Sequence, residues 1–255
     1  MAFQIIDPRA GARVPPKLCA LGIMTKVPQP GKVKTRLTPP LTSEEAAQLN
    51  ICFLRDLAQA ISLACSQSPA HGIGIYTPHG SESAYENILP QDFFLIAQRE
   101  GDFGRRLAFA AEDLFRAGFE SVCLINSDSP TVPGASFAEA AIELANPGDR
   151  IVLGPSEDGG YYLIGMNKLH RRVFEEIDWS TERVFDQTRQ RAAQVGLPVY
   201  ELAPGLDVDD RATLAQLCEE LLGPNERATR NFATNTRKFL SKIIEREGRE
   251  RIWPK

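Results

Sequence analysis

The stretch KLCALGIMTKVPQPGKVKTRL, residues 17–37, decides how this chain is read. Its first eight residues have the length and apolar character of a buried strand. A loop punctuated by proline and glycine follows, carrying Lys26, Lys32, Lys34 and Arg36. An apolar strand that gives way to a cationic loop is a natural opening for an α/β sheet, in which ligands collect beyond the carboxyl ends of the strands. The loop is neither GxGxxG nor GxxxxGK[ST], which removes the dinucleotide-fold and P-loop readings at this position. Backbone amides and basic side chains can still surround a polyphosphate there. In an extended segment Lys32, Lys34 and Arg36, spaced by two, would share one side. A solvated basic loop fits the same residues.

Working outward, Thr42 and Glu45 form a capping box, and Ala47, Ile51, Leu54, Ala58, Ile61 and Cys65 recur on one helical face. Further strands are expected at 71–76, 93–98, 121–126, 150–154, 161–166 and 198–202. Helices are expected at 103–117 (ending at Gly118), 136–145, 181–195 and 210–222. Strands alternating with helices predict a three-layer α/β/α fold, its sheet mixed but mostly parallel. No linker or repeat divides residues 17–222, which are read as one domain. Residues 223–255 are read as a basic amphipathic helical tail, with Phe232, Phe239, Leu240, Ile243 and Ile244 at helical spacing.

The chain has 255 residues, 43% hydrophobic and 24% charged, which excludes collagen, a coiled-coil rod and a disordered tail. Its longest apolar stretch, 18–24, is far short of the roughly 20 residues of a membrane span. Residues 1–17 hold Asp7 and three prolines but no apolar core, so no secretory signal is expected. Five scattered cysteines without a CxxC pair fit a reducing cytoplasm better than a disulfide framework or a structural zinc site. The net charge of −4 averages unlike regions. Residues 225–255 carry nine basic against four acidic side chains, whereas the run 8–43 has seven basic residues and no acid. One basic segment on an acidic body suggests a local anion site rather than a nucleic-acid surface.

Four strand ends or loops carry chemistry. Asp128 lies between Ser127 and Ser129 directly after an apolar strand, a setting that suits a divalent ion or an Asx turn. The loop holding Asp158, Gly159 and Gly160 joins two strands and reads either as a hairpin or as backbone that approaches a ligand closely. Asp207 and Asp209 point the same way if extended, while Asp210 is placed to cap the next helix. Like-charged carboxylates crowded together cost stability unless a cation sits among them. Gly101, Asp102, Gly104 and Arg105 open a helix, either as a capped turn or as amides facing a base or phosphate. The three histidines form no ligand set, and no GxSxG elbow is present.

Taken in order, KxPxPGKVKTRL (26–37), GDFGRRL (101–107), SDSP (127–130), LGPSEDGGYYLIG (153–165), DWST (178–181) and DVDD (207–210) resemble the nucleotide-diphospho-sugar transferase superfamily. More closely, the chain resembles the bacterial family described as radical-SAM-linked glycosyltransferases. The basic loop is also similar to that of 2-phospholactate guanylyltransferases and molybdenum-cofactor nucleotidyltransferases. The resemblance implies a GT-A-like fold and a nucleotide-activated substrate, with the loop after the first strand holding a triphosphate. It further implies Mg²⁺ or Mn²⁺ on Asp128 and Asp209. Two positions depart from the pattern: relatives are expected to carry cysteine at Ser129 and an acidic residue at Arg105.

The leading expectation is a metal-dependent nucleotidyltransferase, with Lys26, Asp128 and Asp158 as catalytic residues. Lys32, Lys34, Arg36, Gly101, Asp102, Gly104 and Arg105 would take the nucleotide, and Gly159, Gly160, Trp179 and Ser180 a small phosphate-bearing acceptor. The alternatives are a glycosyltransferase using an NDP-sugar, with Asp158 as base, and a silent nucleotide-binding module. The amphipathic tail leaves room for a homodimer.

Overall fold

The structure is a computed structural model and describes residues 3–11, 14–224 and 232–254. Eight strands form one sheet: β1 (Gln4–Ile5), β2 (Cys19–Lys26), β3 (Ala70–Thr77), β4 (Phe94–Ala97), β5 (Ser121–Ile125), β6 (Ile151–Pro155), β7 (Tyr161–Met166) and β8 (Val199–Glu201). Among the described residues six helices accompany them: α1 (Ser43–Gln67), α2 (Phe103–Arg116), α3 (Gly134–Ala145), α4 (Val184–Gln194), α5 (Arg211–Leu222) and α6 (Thr234–Glu247). The spatial strand order is β1-β4-β3-β2-β5-β7-β6-β8. Every pairing is parallel except those of β7, which runs antiparallel to both β5 and β6. This is the expected three-layer arrangement with a mixed, mostly parallel sheet.

Central strands such as β2 are buried along nearly their whole length, as a strand covered on both faces must be. One face is packed by α1 and α3 through Leu54, Leu57, Ile61, Phe137 and Ala141. The other is packed by α2 and α4 through Leu107, Ala111, Leu114 and Ala192. A third cluster joins the first turns of α1 to α5 and α6, with Leu37, Leu49, Phe53, Leu214, Leu217, Leu240 and Ile243 all buried.

Local chemistry explains the element boundaries. Thr42 caps α1 with the expected reciprocal bonds, Glu45 N to Thr42 Oγ1 at 3.2 Å and Thr42 N to Glu45 Oε2 at 2.9 Å. Gly118, at φ +104°, ends the turn after α2. The first large strand runs two residues past the expected end, so Lys26 closes β2 instead of starting the loop. Gln4 and Ile5, outside the stretch 17–222, add an edge strand against β4.

The tail helix α6 starts at Ala233, which has no capping side chain and sits at φ +48°. Its cap comes from α1 instead. Asp56 accepts bonds from Asn235 N, Asn235 Nδ2, Thr236 N and Thr236 Oγ1 at 2.6–2.9 Å. Phe232 is half-buried, and the part of the tail at 225–231 lies outside the described residues, as does Arg13 of the basic run.

Candidate functional site

A cleft of about 600 Å³ opens beyond the carboxyl ends of β2 and β5. The chain turns there from strands laid to one side of β2 to strands laid on the other, which is where an α/β sheet leaves a crevice. Lys26, Arg36, Gln98, Phe103, Arg106, Asp128, Asp158, Trp179, Ser180, Asp207 and Asp209 are among its lining residues.

Its floor is acidic. β5 delivers Asp128, whose Oδ1 accepts from Ser127 Oγ at 3.0 Å, while Asp128 N donates to Asn126 Oδ1 at 3.3 Å in an Asx-like turn. Val208 N donates to Asp128 O at 3.0 Å and ties the second acidic segment to the first. Val208 is buried, and Asp207 and Asp209 on either side of it face the cleft together. Carboxylate oxygens of Asp128, Asp207 and Asp209 lie within 4.8 Å of one another. Asp210 caps α5, accepting from Thr213 N at 3.0 Å.

Lys34 lies within this group of acids. Its Nζ is 2.7 Å from Asp128 Oδ1 and 3.3 Å from Asp209 Oδ1, and it donates to Val208 O at 2.6 Å. Burial pulls its pKa down, but the charges of Asp128, Asp209 and Asp207 outweigh that and hold it above the ordinary lysine value. Asp207 is driven the other way: burial, then the neighbouring charge of Asp128, push its pKa up to about 8 against the opposing pull of Lys34. Among the described residues Asp207 Oδ1 has no hydrogen-bond partner although it is buried. An orphaned carboxylate oxygen beside two other carboxylates is a donor set suited to a hard divalent cation such as Mg²⁺ or Mn²⁺.

The basic loop does not take the expected extended course. Lys34 adopts a left-handed conformation at φ +48° and leads into a tight turn over Thr35–Leu37, because Leu37 is drawn fully into the third core cluster. That turn breaks the alternation of side chains. Lys34 goes under the cleft, Lys32 stays exposed and away from its lining, and Arg36 pairs with Asp209 at 3.4 Å. Of the four loop cations, Lys26 and Arg36 line the cleft.

The GDFGRR segment is divided by helical geometry. Phe103, Arg106 and Leu107 face the cleft, whereas Asp102, Gly104 and Arg105 line a neighbouring hollow shared with Phe109 and Arg171. Asp102 accepts from Arg105 N at 2.8 Å as the cap of α2, and Gly101 lines neither space. Gly104 lets Trp179 lie against the helix, since a Cβ there would come 2.8 Å from Trp179 Nε1.

On the far wall the Ser156–Gly160 loop is a hairpin between β6 and β7, with Asp158 Oδ1 accepting from Gly160 N at 3.0 Å. Asp158 and Gly160 line the cleft. Gly159 instead abuts the protein's own backbone: at φ +85°, a Cβ would lie 2.2 Å from Glu182 O. Trp179 meets Phe103 edge-on at 4.9 Å, and Ser180, at φ +65°, turns the chain beside it.

The sequence reading has no role for Gln98 or Arg106, takes in Phe103 only as part of the GDFGRRL segment, and does not count Asp207 among the metal ligands. The same-face spacing of Asp207 and Asp209 was the available signal for the last of these. In the sequence Gln98 is only the last residue of the apolar run 93–98.

Solved structures of other proteins share this fold. A provisionally named nucleotide-diphospho-sugar transferase from Desulfovibrio desulfuricans G20 superposes with a TM-score of 0.77 at 29% identity, covering 91% of this chain and 98% of the other. A cytidylyltransferase from Leptospira borgpetersenii reaches a TM-score of 0.50 at 10% identity over 94% and 98%. CMP:2-keto-3-deoxy-manno-octonic acid synthetase, solved with CTP, reaches 0.50 at 12% identity over 78% and 96%. Residues 63–181 match a family described as an uncharacterized protein conserved in bacteria (DUF2064). No curated protein matches the sequence. These likenesses establish a GT-A-like fold of the kind found among nucleotide-using transferases.

Proposed function

We propose that this protein is a divalent-metal-dependent transferase that moves a sugar from a nucleoside diphospho-sugar to the hydroxyl of a small acceptor. The observation that carries this reading is the charge lining the cleft. Of the four cations of the basic loop only Lys26 and Arg36 line the space, beside the three carboxylates Asp128, Asp207 and Asp209. Two loop cations and a metal suit a diphosphate. The relative at 29% identity, which covers nearly the whole chain, carries a name of the same kind.

Asp128, Asp207 and Asp209 would hold the Mg²⁺ or Mn²⁺, whose charge offsets the negative charge that collects on the diphosphate as it leaves. Lys26 and Arg36 would bind the phosphate oxygens. Lys34 holds Asp128 and Asp209 in place from beneath and is a positioning residue rather than a phosphate ligand. The acceptor hydroxyl would approach from the side of Ser180 and Gly160, with Asp158 taking its proton as the oxygen attacks the anomeric carbon. The bond from that carbon to the phosphate oxygen breaks, and the nucleoside diphosphate departs. Phe103 and Trp179 form an aromatic wall that would exclude water from the reacting centre. Free cysteines, four of the five buried, fit the reducing cytoplasm as its place of work.

A second reading, nucleotidyl transfer from an NTP to a phosphate-bearing acceptor, is favoured by Arg106. It adds a third cation to the cleft wall. A panel of NDP-sugars and NTPs with Mn²⁺, scored separately for nucleoside diphosphate and pyrophosphate, separates the two. Nucleoside diphosphate release is expected, and pyrophosphate release in its place would overturn the glycosyl reading.

A further inference from the structure

Gln98 follows β4 and lines the cleft. Its Nε2 donates to two backbone carbonyls, Ile75 O on β3 at 2.8 Å and Thr25 O on β2 at 3.0 Å. Both neighbours at that end are acceptors, so the amide can sit only one way round, with NH₂ toward the strands and Oε1 away from them. Oε1 is buried and, among the described residues, has no hydrogen-bond partner. A rigid acceptor buried without a donor is costly unless a ligand supplies one.

We propose that Gln98 Oε1 is the base-reading group of this site and accepts an N–H from the nucleobase of the bound nucleotide. This rests on the nucleotide-transferase reading above. Ionised phosphates carry no hydrogen to donate, and the sugar and acceptor hydroxyls belong at the reacting centre beside Asp158, which leaves the nucleoside. The metal carboxylates lie beyond β5 and the acceptor groups beyond β7, whereas β4 lies on the opposite side of β2. With its phosphates over β2 and β5, the nucleotide must therefore extend its nucleoside end toward β3 and β4. Met24, Leu107 and Leu124 make part of the lining apolar, which suits a planar base better than a ribose. Arg106 on the same lining has a buried Nε that also lacks a partner among the described residues, a donor to complement the acceptor.

The test is calorimetric titration of UDP, CDP, ADP and GDP in the presence of Mn²⁺. It is followed by analogues of whichever binds tightest in which each base N–H is replaced by N–CH₃ or the amino group by hydrogen, and by the 2′-deoxy form. In the wild-type protein one such base analogue is expected to bind about tenfold or more weakly than its parent. In Gln98→Met the parent is expected to fall to the level of that analogue, with the 2′-deoxy effect unchanged. Should Gln98→Met fail to fold, because Thr25 O and Ile75 O lose their donor, the wild-type analogue series decides alone. Equal binding of parent and every base analogue would overturn this inference while leaving the transferase reading intact. So would loss of the 2′-deoxy effect in Gln98→Met, since the acceptor would then serve the ribose. Failure of every nucleoside diphosphate to bind would overturn both.

Discussion

Replacing Lys34 with methionine separates two roles that a basic loop can play. If Lys34 were a phosphate ligand, the ligand-free protein would scarcely notice its loss. In the structure its Nζ is a strut, with the side chain only 3% exposed and set against Asp128 (28%) and Asp209 (49%). Removing one partner of a fully buried ion pair costs roughly 3–5 kcal/mol. Here the carboxylates are partly open to water, which screens part of that penalty, so about 2 kcal/mol is expected. For a chain of this size that corresponds to a fall in Tm of about 4–8 °C. Lys32→Met is the control, since Lys32 is exposed and its loss should stay within about 0.5 kcal/mol. Circular-dichroism melts in EDTA measure both. A second signature is expected on adding Mn²⁺, which should raise the Tm of Lys34→Met more than that of the wild type because Asp128 then lacks its internal counter-charge and Asp209 keeps only Arg36. If Lys34→Met and Lys32→Met melt together in EDTA, the strut reasoning is refuted.

The pH dependence of the acidic floor has a definite sign. The folded chain keeps the Asp207 proton until about pH 8, whereas an unfolded chain releases it near 4, so this group's stabilising contribution is present at low pH and drains away across that window. Asp207→Asn should therefore gain Tm relative to wild type on going from about pH 5 to about pH 9, and a constant difference would contradict the shift. Mn²⁺ affinity of the wild type should climb with pH up to about 8 as the competing proton leaves; a flat titration would argue against Asp207 as a ligand. Gly159→Ala places a Cβ against Glu182 O at a positive φ and should cost about 3 kcal/mol in thermal or urea unfolding, with a neutral result excluding the close approach. Asp56→Ala removes the cap of α6 and should speed limited proteolysis of the C-terminal tail well before the sheet unfolds, whereas unchanged cleavage would place the anchor elsewhere.

The parts of the fold legible in the sequence were those set by local chemistry. The Thr42–Glu45 box, the Asp210 cap and the long apolar runs of β2, β3 and β5 each depend on residues within a few positions of one another. β1 escaped notice because two residues carry no period, and its existence depends on the edge of β4 lying beside it. The candidate site was legible as a set of strand-end segments but not as a set of directions. Where Lys34 points depends on Leu37 entering a core built from α1, α5 and α6, which are distant in sequence. Asp102 and Arg105 point away from the cleft because Phe103 and Arg106 occupy the face of α2 that meets it. Gly159 looked like room for a ligand, yet the room is filled by Glu182 of the same chain. Gln98 was invisible because its significance comes from two carbonyls on neighbouring strands that consume one end of its amide.

If the carboxylates beneath the cleft bind a metal that in turn binds the nucleotide, nucleotide affinity must depend on both the metal and Asp128. Calorimetric titration of a nucleoside diphosphate into the wild type with Mn²⁺, into the wild type with EDTA, and into Asp128→Asn with Mn²⁺ tests this directly. Saturable binding with Mn²⁺ is expected, weakened at least about tenfold by EDTA and by the substitution while Asp128→Asn keeps its fold. Binding of equal strength in all three would contradict a metal bridge between these carboxylates and the nucleotide.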